Sequence, residues 1–226
     1  MLEKFVRCLD VYVQMTMIKL KDILTEAKKA PSIFIPRRVE DRLERYINNF
    51  IKYQLNNPFA RLMIDHMDLV ELPEMLNGIE MKGAFICSGN NLLTLKNCPK
   101  VVGGFGCKYN NLSSLIDGPE VVKGDYICIG NKLENLVGAP DSVDGSFDCK
   151  SNRLKSLEGA PKFIGRDFDC SYNSGLESLV GIPKHIGGNF VLEDNIPIGS
   201  SEARFKEEDV RKLSDVKGKV QFYVTI

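Results

Sequence analysis

Five cysteines stand in register along the chain, Cys87, Cys107, Cys128, Cys149 and Cys170, at steps of 20, 21, 21 and 21 residues by subtraction. A column of thiols could hold zinc, form disulfides or act through thiolates. A structural zinc needs four donors around one point, with Zn–S of about 2.3 Å. Thiols repeating from strand to strand form a straight ladder with a spacing of about 4.8 Å, which cannot wrap an ion. Disulfides between neighbouring rungs fit poorly as well, because parallel Cβ vectors hold the Cβ atoms about 4.8 Å apart where a bridge prefers roughly 3.8 Å. The column reads as small buried hydrophobes. His66 is flanked by Asp65 and Asp68 but has no nucleophile placed to complete a triad, and His185 falls in a return segment between repeats. Both read as surface or packing residues. The glycines follow the repeat and make no phosphate-binding loop. No catalytic residues, metal or cofactor are expected.

The cysteines belong to a longer phrase. Two residues before each stands an aromatic, Phe85, Phe105, Tyr126, Phe147 and Phe168, and three residues after each an asparagine, Asn90, Asn110, Asn131, Asn152 and Asn173. Leucine pairs follow at fixed offsets (Leu92 and Leu95 in the first, Leu154 and Leu157 in the fourth), and then a proline, Pro99, Pro119, Pro140, Pro161 and Pro183. A sixth phrase opens with Phe190, Leu192 and Asn195 and breaks off. A fixed period of this length signals a solenoid, in which each turn buries its apolar row only against its neighbours. The aromatic and cysteine share one side of a short strand, so the residues between and around them face outward. The asparagine leaves the strand into a turn, where its amide can both donate to and accept from buried backbone groups.

Phe147-Asp-Cys149-Lys-Ser-Asn152-Arg-Leu154 resembles the core of a leucine-rich repeat, with an aromatic and a cysteine replacing two leucines. The short period, with Gly159-Ala-Pro161, Gly165 and Phe168-Asp-Cys170-Ser-Tyr-Asn173, is most similar to repeats of phage and bacterial proteins. The resemblance covers about half of the chain. It implies an α/β leucine-rich-repeat solenoid with a parallel sheet on its concave face, and a habit of binding proteins there. A phage-encoded inhibitor of a bacterial host or defence protein is the kind of task it implies.

Three segments are expected: a helical cap over 1–60, the solenoid over 61–199 and a helix–strand cap over 200–226. Residues 1–29 read as helix, and Ser32 to Ile35 as an extended link. A clearer helix runs from Arg38 to about Gln54, with Val39, Leu43, Tyr46, Ile47, Phe50 and Ile51 on one stripe. Leu62, Ile64, Leu69 and Leu72 keep the repeat's spacing as a degenerate first turn, with Met67 in the asparagine slot. At the other end, a helix is expected from Glu202 to about Leu213 and a strand from Val220, with Val220, Phe222 and Val224 continuing the apolar column.

The 226 residues carry no formal net charge, but it is unevenly placed. Residues 1–61 hold 12 Lys+Arg against 7 Asp+Glu (+5), 62–199 hold 12 against 18 (−6), and 200–226 hold 6 against 5 (+1). Seven cysteines, mostly in buried slots, point to a reducing compartment, the cytoplasm (of the host, for a phage product). Charges throughout residues 1–24 argue against a signal peptide, and no apolar run spans a membrane.

The outward strand positions are the candidate partner-binding residues. Ile86, Ile127 and Ile129 are apolar positions that the core does not explain. Asp125, Asp148, Asp167 and Asp169 are acidic, and Lys108, Lys150, Tyr109 and Tyr172 complete the face. Apolar anchors with a charged rim are what protein interfaces use. The expectation is a non-enzymatic module that binds a protein partner. The alternatives are a structural or virion assembly component, and nucleic-acid binding through Arg37, Arg38, Arg42 and Arg45 of the basic head. The acidic face makes nucleic acid an unlikely ligand, since phosphates are repelled there.

Overall fold

The computed structural model describes residues 37–54, 57–193, 195 and 205–222. The readings of residues 1–36 as helix and link, of Glu202 as a helix start and of Val224 as a core residue lie outside them. The chain winds as a parallel solenoid, with its helices among the described residues confined to the two ends. Each turn contributes a strand to a long sheet: β1 (Leu62–Met63), β2 (Ala84–Ile86), β4 (Gly104–Gly106), β6 (Tyr126–Ile127), β8 (Phe147–Asp148), β10 (Phe168–Asp169), β12 (Phe190–Val191) and β14 (Val220–Gln221). The aromatics pair in register from strand to strand, Phe105 with Tyr126, Tyr126 with Phe147, Phe147 with Phe168. Their rings run through the core as a ladder with centroids 4.9 to 6.1 Å apart.

The return segments are strands too, which the sequence reading did not anticipate. They form a second parallel sheet of six: β3 (Val101–Val102), β5 (Val121–Val122), β7 (Ser142–Val143), β9 (Phe163–Ile164), β11 (His185–Ile186) and β13 (Asp215–Val216). The cause is a second apolar column, Val102, Val122, Val143, Ile164, Ile186 and Val216, all buried. β-Branched side chains fit a pleated surface and bury the other flank of the core. Between the sheets the chain doubles back so tightly that only glycine fits. A Cβ on Gly103 would stand 1.8 Å from the Lys82 carbonyl oxygen of the preceding turn.

The asparagine turn is the hinge of every rung. The Asn131 side chain donates to the Cys128 carbonyl of its own turn and the Cys107 carbonyl of the turn before, each at 3.1 Å. Its Oδ1 accepts from the Leu112 backbone N–H at 3.1 Å. Asn90, Asn110, Asn152 and Asn173 repeat this pattern, so each amide ties two turns together. Leu62, Ile64, Met67 and Leu72 are buried as the degenerate first turn, and Leu62 pairs in register with Phe85. Met67 is buried in the asparagine slot, and its N–H donates to Asn90 Oδ1 at 2.8 Å.

At the N-terminal end, α1 (Arg37–Gln54) adds Leu43, Ile47 and Phe50 to the core, and its Tyr46 hydroxyl reaches the Met63 carbonyl of β1 at 3.4 Å. It seals the first turn. At the other end, α2 runs Glu207–Leu213, within the span expected for a helix there. Phe205 and Lys206 precede it without helical structure, and three acids, Glu207, Glu208 and Asp209, occupy its first turn, where the helix dipole favours them. After α2 the chain makes a further complete rung: Val216 pairs with Ile186, and Val220 with Phe190.

Candidate functional site

The repeat cysteines supply no chemistry on the surface. All five are buried and free of disulfides, and burial pushes their thiols well above the usual range. Thiolate is the reactive form, so they are inert. Cys149 and Cys170 lie within 3.5 and 3.6 Å of carbonyls on the next strand, those of Asp169 and Val191.

Each histidine meets one carboxylate. His66 Nδ1 lies 2.9 Å from Asp65 Oδ2, and the far side of its ring covers Gly89. His185 Nδ1 lies 2.9 Å from Asp215 Oδ2, a pairing 30 positions apart that sequence reading missed because it depends on the second sheet. The His185 ring stacks on Phe163 at 4.9 Å and 6°. An aspartate can orient an imidazole, as Asp215 does here from the following rung.

The outward face of the long sheet holds the predicted partner-binding residues. It brings them together, with several already committed to neighbouring rungs. Ile86 is half-buried because its side chain lies over Gly106 of the next strand, where an added Cβ would be 3.0 Å from Ile86 Cδ1. The core does not explain it, but a notch in the adjacent rung does. Asp125 Oδ1 accepts from the Ser146 N–H at 2.9 Å, and Asp167 Oδ1 from the Asn189 N–H at 2.7 Å. These two acids, with Asn189 accepting from Lys219 N–H at 2.9 Å, hold strand starts together.

Asp148 and Asp169 stand on paired positions of adjacent strands, with Lys150 Nζ 3.3 and 3.5 Å from their carboxylates. Burial pushes the Asp148 carboxyl above the ordinary range, and the like charge of Asp169 adds to this, against the Lys150 N–H and ammonium. Burial alone would lower Lys150, but the two carboxylates outweigh it and hold its pKa above the usual value. Ile127 pairs with Asp148 on one side and Gly106 on the other, and it and Ile129 are half-buried, as Ile86 is. Val191 continues the column past Asp169 and was missed as a site residue, although its slot was legible.

Tyr109 and Tyr172 owe their prominence to backbone. The residue two after each cysteine is left-handed throughout the stack: Gly89 φ 65°, Tyr109 φ 52°, Gly130 φ 68°, Ser151 φ 56° and Tyr172 φ 57°. Outside glycine this conformation costs roughly 1–2 kcal/mol. Tyr109 recovers part of that by laying its ring against Gly130, yet stays 64% exposed, and Tyr172 is 49% exposed. Lys108 is half-buried beside them.

Of the basic head, Arg42 and Arg45 are exposed on α1, interleaved with exposed Asp41 and Glu44. Arg37 and Arg38 lie on the same helix. The helix sits at the end of the stack, so it does not cover the long sheet. No helix among the described residues is long and apolar enough to cross a membrane. Comparison with protein-family models, with curated proteins and with solved structures found no match. The resemblance to leucine-rich repeats rests on the residues of the repeat.

Proposed function

We propose that the chain is a non-enzymatic interaction module that binds a protein partner on the outward face of its long sheet. The observation that carries this is Ile127 on β6 and Ile129 just after it, half-buried on the outward face and bordered by Lys108, Tyr109, the Asp148–Lys150–Asp169 group and Tyr172. Apolar anchors inside a polar rim bury area without strain when the scaffold is preorganised. Ile86 supports the surface rather than reaching into the partner, and Asp125 and Asp167 tie rungs together while adding their charge to the face. The likeness to phage repeats directs the search for that partner to bacterial host proteins, with inhibition of a host or defence factor as the task.

The test is affinity capture from bacterial lysate with the full chain, the Ile127→Asp/Asp169→Lys double variant, and Val121→Ser on the second sheet as control. The expected result is a protein held by wild type and by Val121→Ser and lost by the double variant. Retention by all three overturns the assignment of the face. The basic stripe of α1 favours nucleic acid as a second reading, and salt-sensitive retention of DNA or RNA that Arg42→Glu/Arg45→Glu abolishes is its signature.

A further inference from the structure

We infer that, in the absence of that partner, the long-sheet face is occupied by a second copy of this chain, which lays the basic stripe of its α1 along the acidic rungs. This rests on the docking role proposed above and names the occupant. The sequence carries +5 over 1–61 and −6 over 62–199, an asymmetry that two copies can answer in each other. On α1, Arg38, Arg42, Arg45 and Lys52 recur at helical spacing as one stripe with a single acid, Asp41, among them, and Arg42, Arg45 and Lys52 are exposed. On the four rungs from β6 to β12, the outward positions hold Asp125, Asp148, Asp167, Asp169 and Glu193 against the single ammonium of Lys150.

The lengths also agree. From Arg42 to Lys52 the helix rises about 15 Å, and three strand spacings from β6 to β12 cover about 14 Å. The two surfaces cannot meet within one molecule. The Tyr46 hydroxyl holds α1 at β1, and β6 stands three strands further along the sheet, about 14 Å away. Contact between copies therefore joins different patches on each, reciprocally across a two-fold axis or head to tail. Ile127, Ile129 and Val191 give the contact its apolar part, and the charges give it register and salt dependence.

Sedimentation velocity of the full chain over a concentration series, at about 0.02 M and about 0.5 M salt, reads the association. Two charge reversals accompany it, Arg42→Glu/Arg45→Glu on the helix and Asp169→Lys/Glu193→Lys on the face, each checked for an unchanged circular-dichroism melt. Wild type is expected to grow with concentration at low salt and to be monomeric at high salt. Each variant alone weakens association by about tenfold or more. Their equimolar mixture recovers it, since the reversed helix of one meets the reversed face of the other, a result that misfolded variants cannot give. A wild type that is monomeric at low salt, association indifferent to salt, or a mixture no different from its components overturns the inference. Should wild type be monomeric while Ile127→Asp/Asp169→Lys still releases a captured protein, the self-partner falls and the docking face stands.

Discussion

Tyr126 takes the aromatic slot that phenylalanine fills in the neighbouring turns, and its hydroxyl is buried beside the thiols of Cys107 and Cys128 with no hydrogen-bond partner. An orphaned buried hydroxyl carries a desolvation penalty that ring packing does not remove. Tyr126→Phe is therefore expected to raise stability by about 1 kcal/mol, seen as a higher urea midpoint at unchanged slope. Asp148 bears on pH. Its folded-state pKa is raised, so its contribution is fully present below the ordinary aspartate range and is lost as pH rises through the folded value. Wild type is thus expected to lose stability relative to Asp148→Asn between about pH 4 and neutrality, measured by denaturation across that range. An unchanged difference would show that Lys150 fully compensates the burial. The core roles of Cys and Asn were legible because their slots hold the same residue through the five full repeats, from Cys87 to Asn173. The commitments of Ile86, Asp125 and Asp167 to neighbouring rungs were not, because they depend on which residue the register places alongside.

The asparagine turn is the element on which stacking depends, since a strand of two or three residues has too few ladder bonds to define register alone. Asn131→Ala would leave the Cys107 and Cys128 carbonyls and the Leu112 N–H without their partner. A loss of about 3 kcal/mol is expected, each buried unpaired group costing about 1–3 kcal/mol, measured by chemical denaturation. A loss below about 1 kcal/mol would mean that water replaces the amide and that the turns are held by packing alone. The turn and the long sheet follow from the sequence phrase, whose aromatic–x–cysteine alternation has the period of a strand. The second sheet was just as regular in sequence, through Val102, Val122, Val143, Ile164 and Ile186, but Gly and Pro around it read as punctuation. Glycine there serves the tight corner while the β-branched residue beside it forms the strand. In α2, Glu207, Glu208 and Asp209 form the first turn, while the expected start at Glu202 lies outside the described residues.

As a whole, the molecule is a sealed core presenting two sheet faces of different character. The second sheet shows Val121, Ser142, Phe163, His185 and Asp215 outward, flanked by rung-to-rung ion pairs such as Lys162–Asp141 at 2.9 Å and Lys123–Asp144 at 3.7 Å. Charges there are largely answered within the chain. On the long sheet, carboxylates outnumber ammonium groups, and the two isoleucines of β6 and its turn lie among them. That contrast selects the long sheet as the docking face, and oxidative footprinting of the captured complex tests it most directly. Hydroxyl radicals modify exposed Tyr, Phe and aliphatic side chains, and both faces carry reporters. Protection of Tyr109, Tyr172 and Ile127, with Phe163 and Val121 as reactive as in the free chain, is the predicted result. Protection of Phe163 and Val121 with Tyr109 and Tyr172 unchanged would contradict it and move the interface to the second sheet.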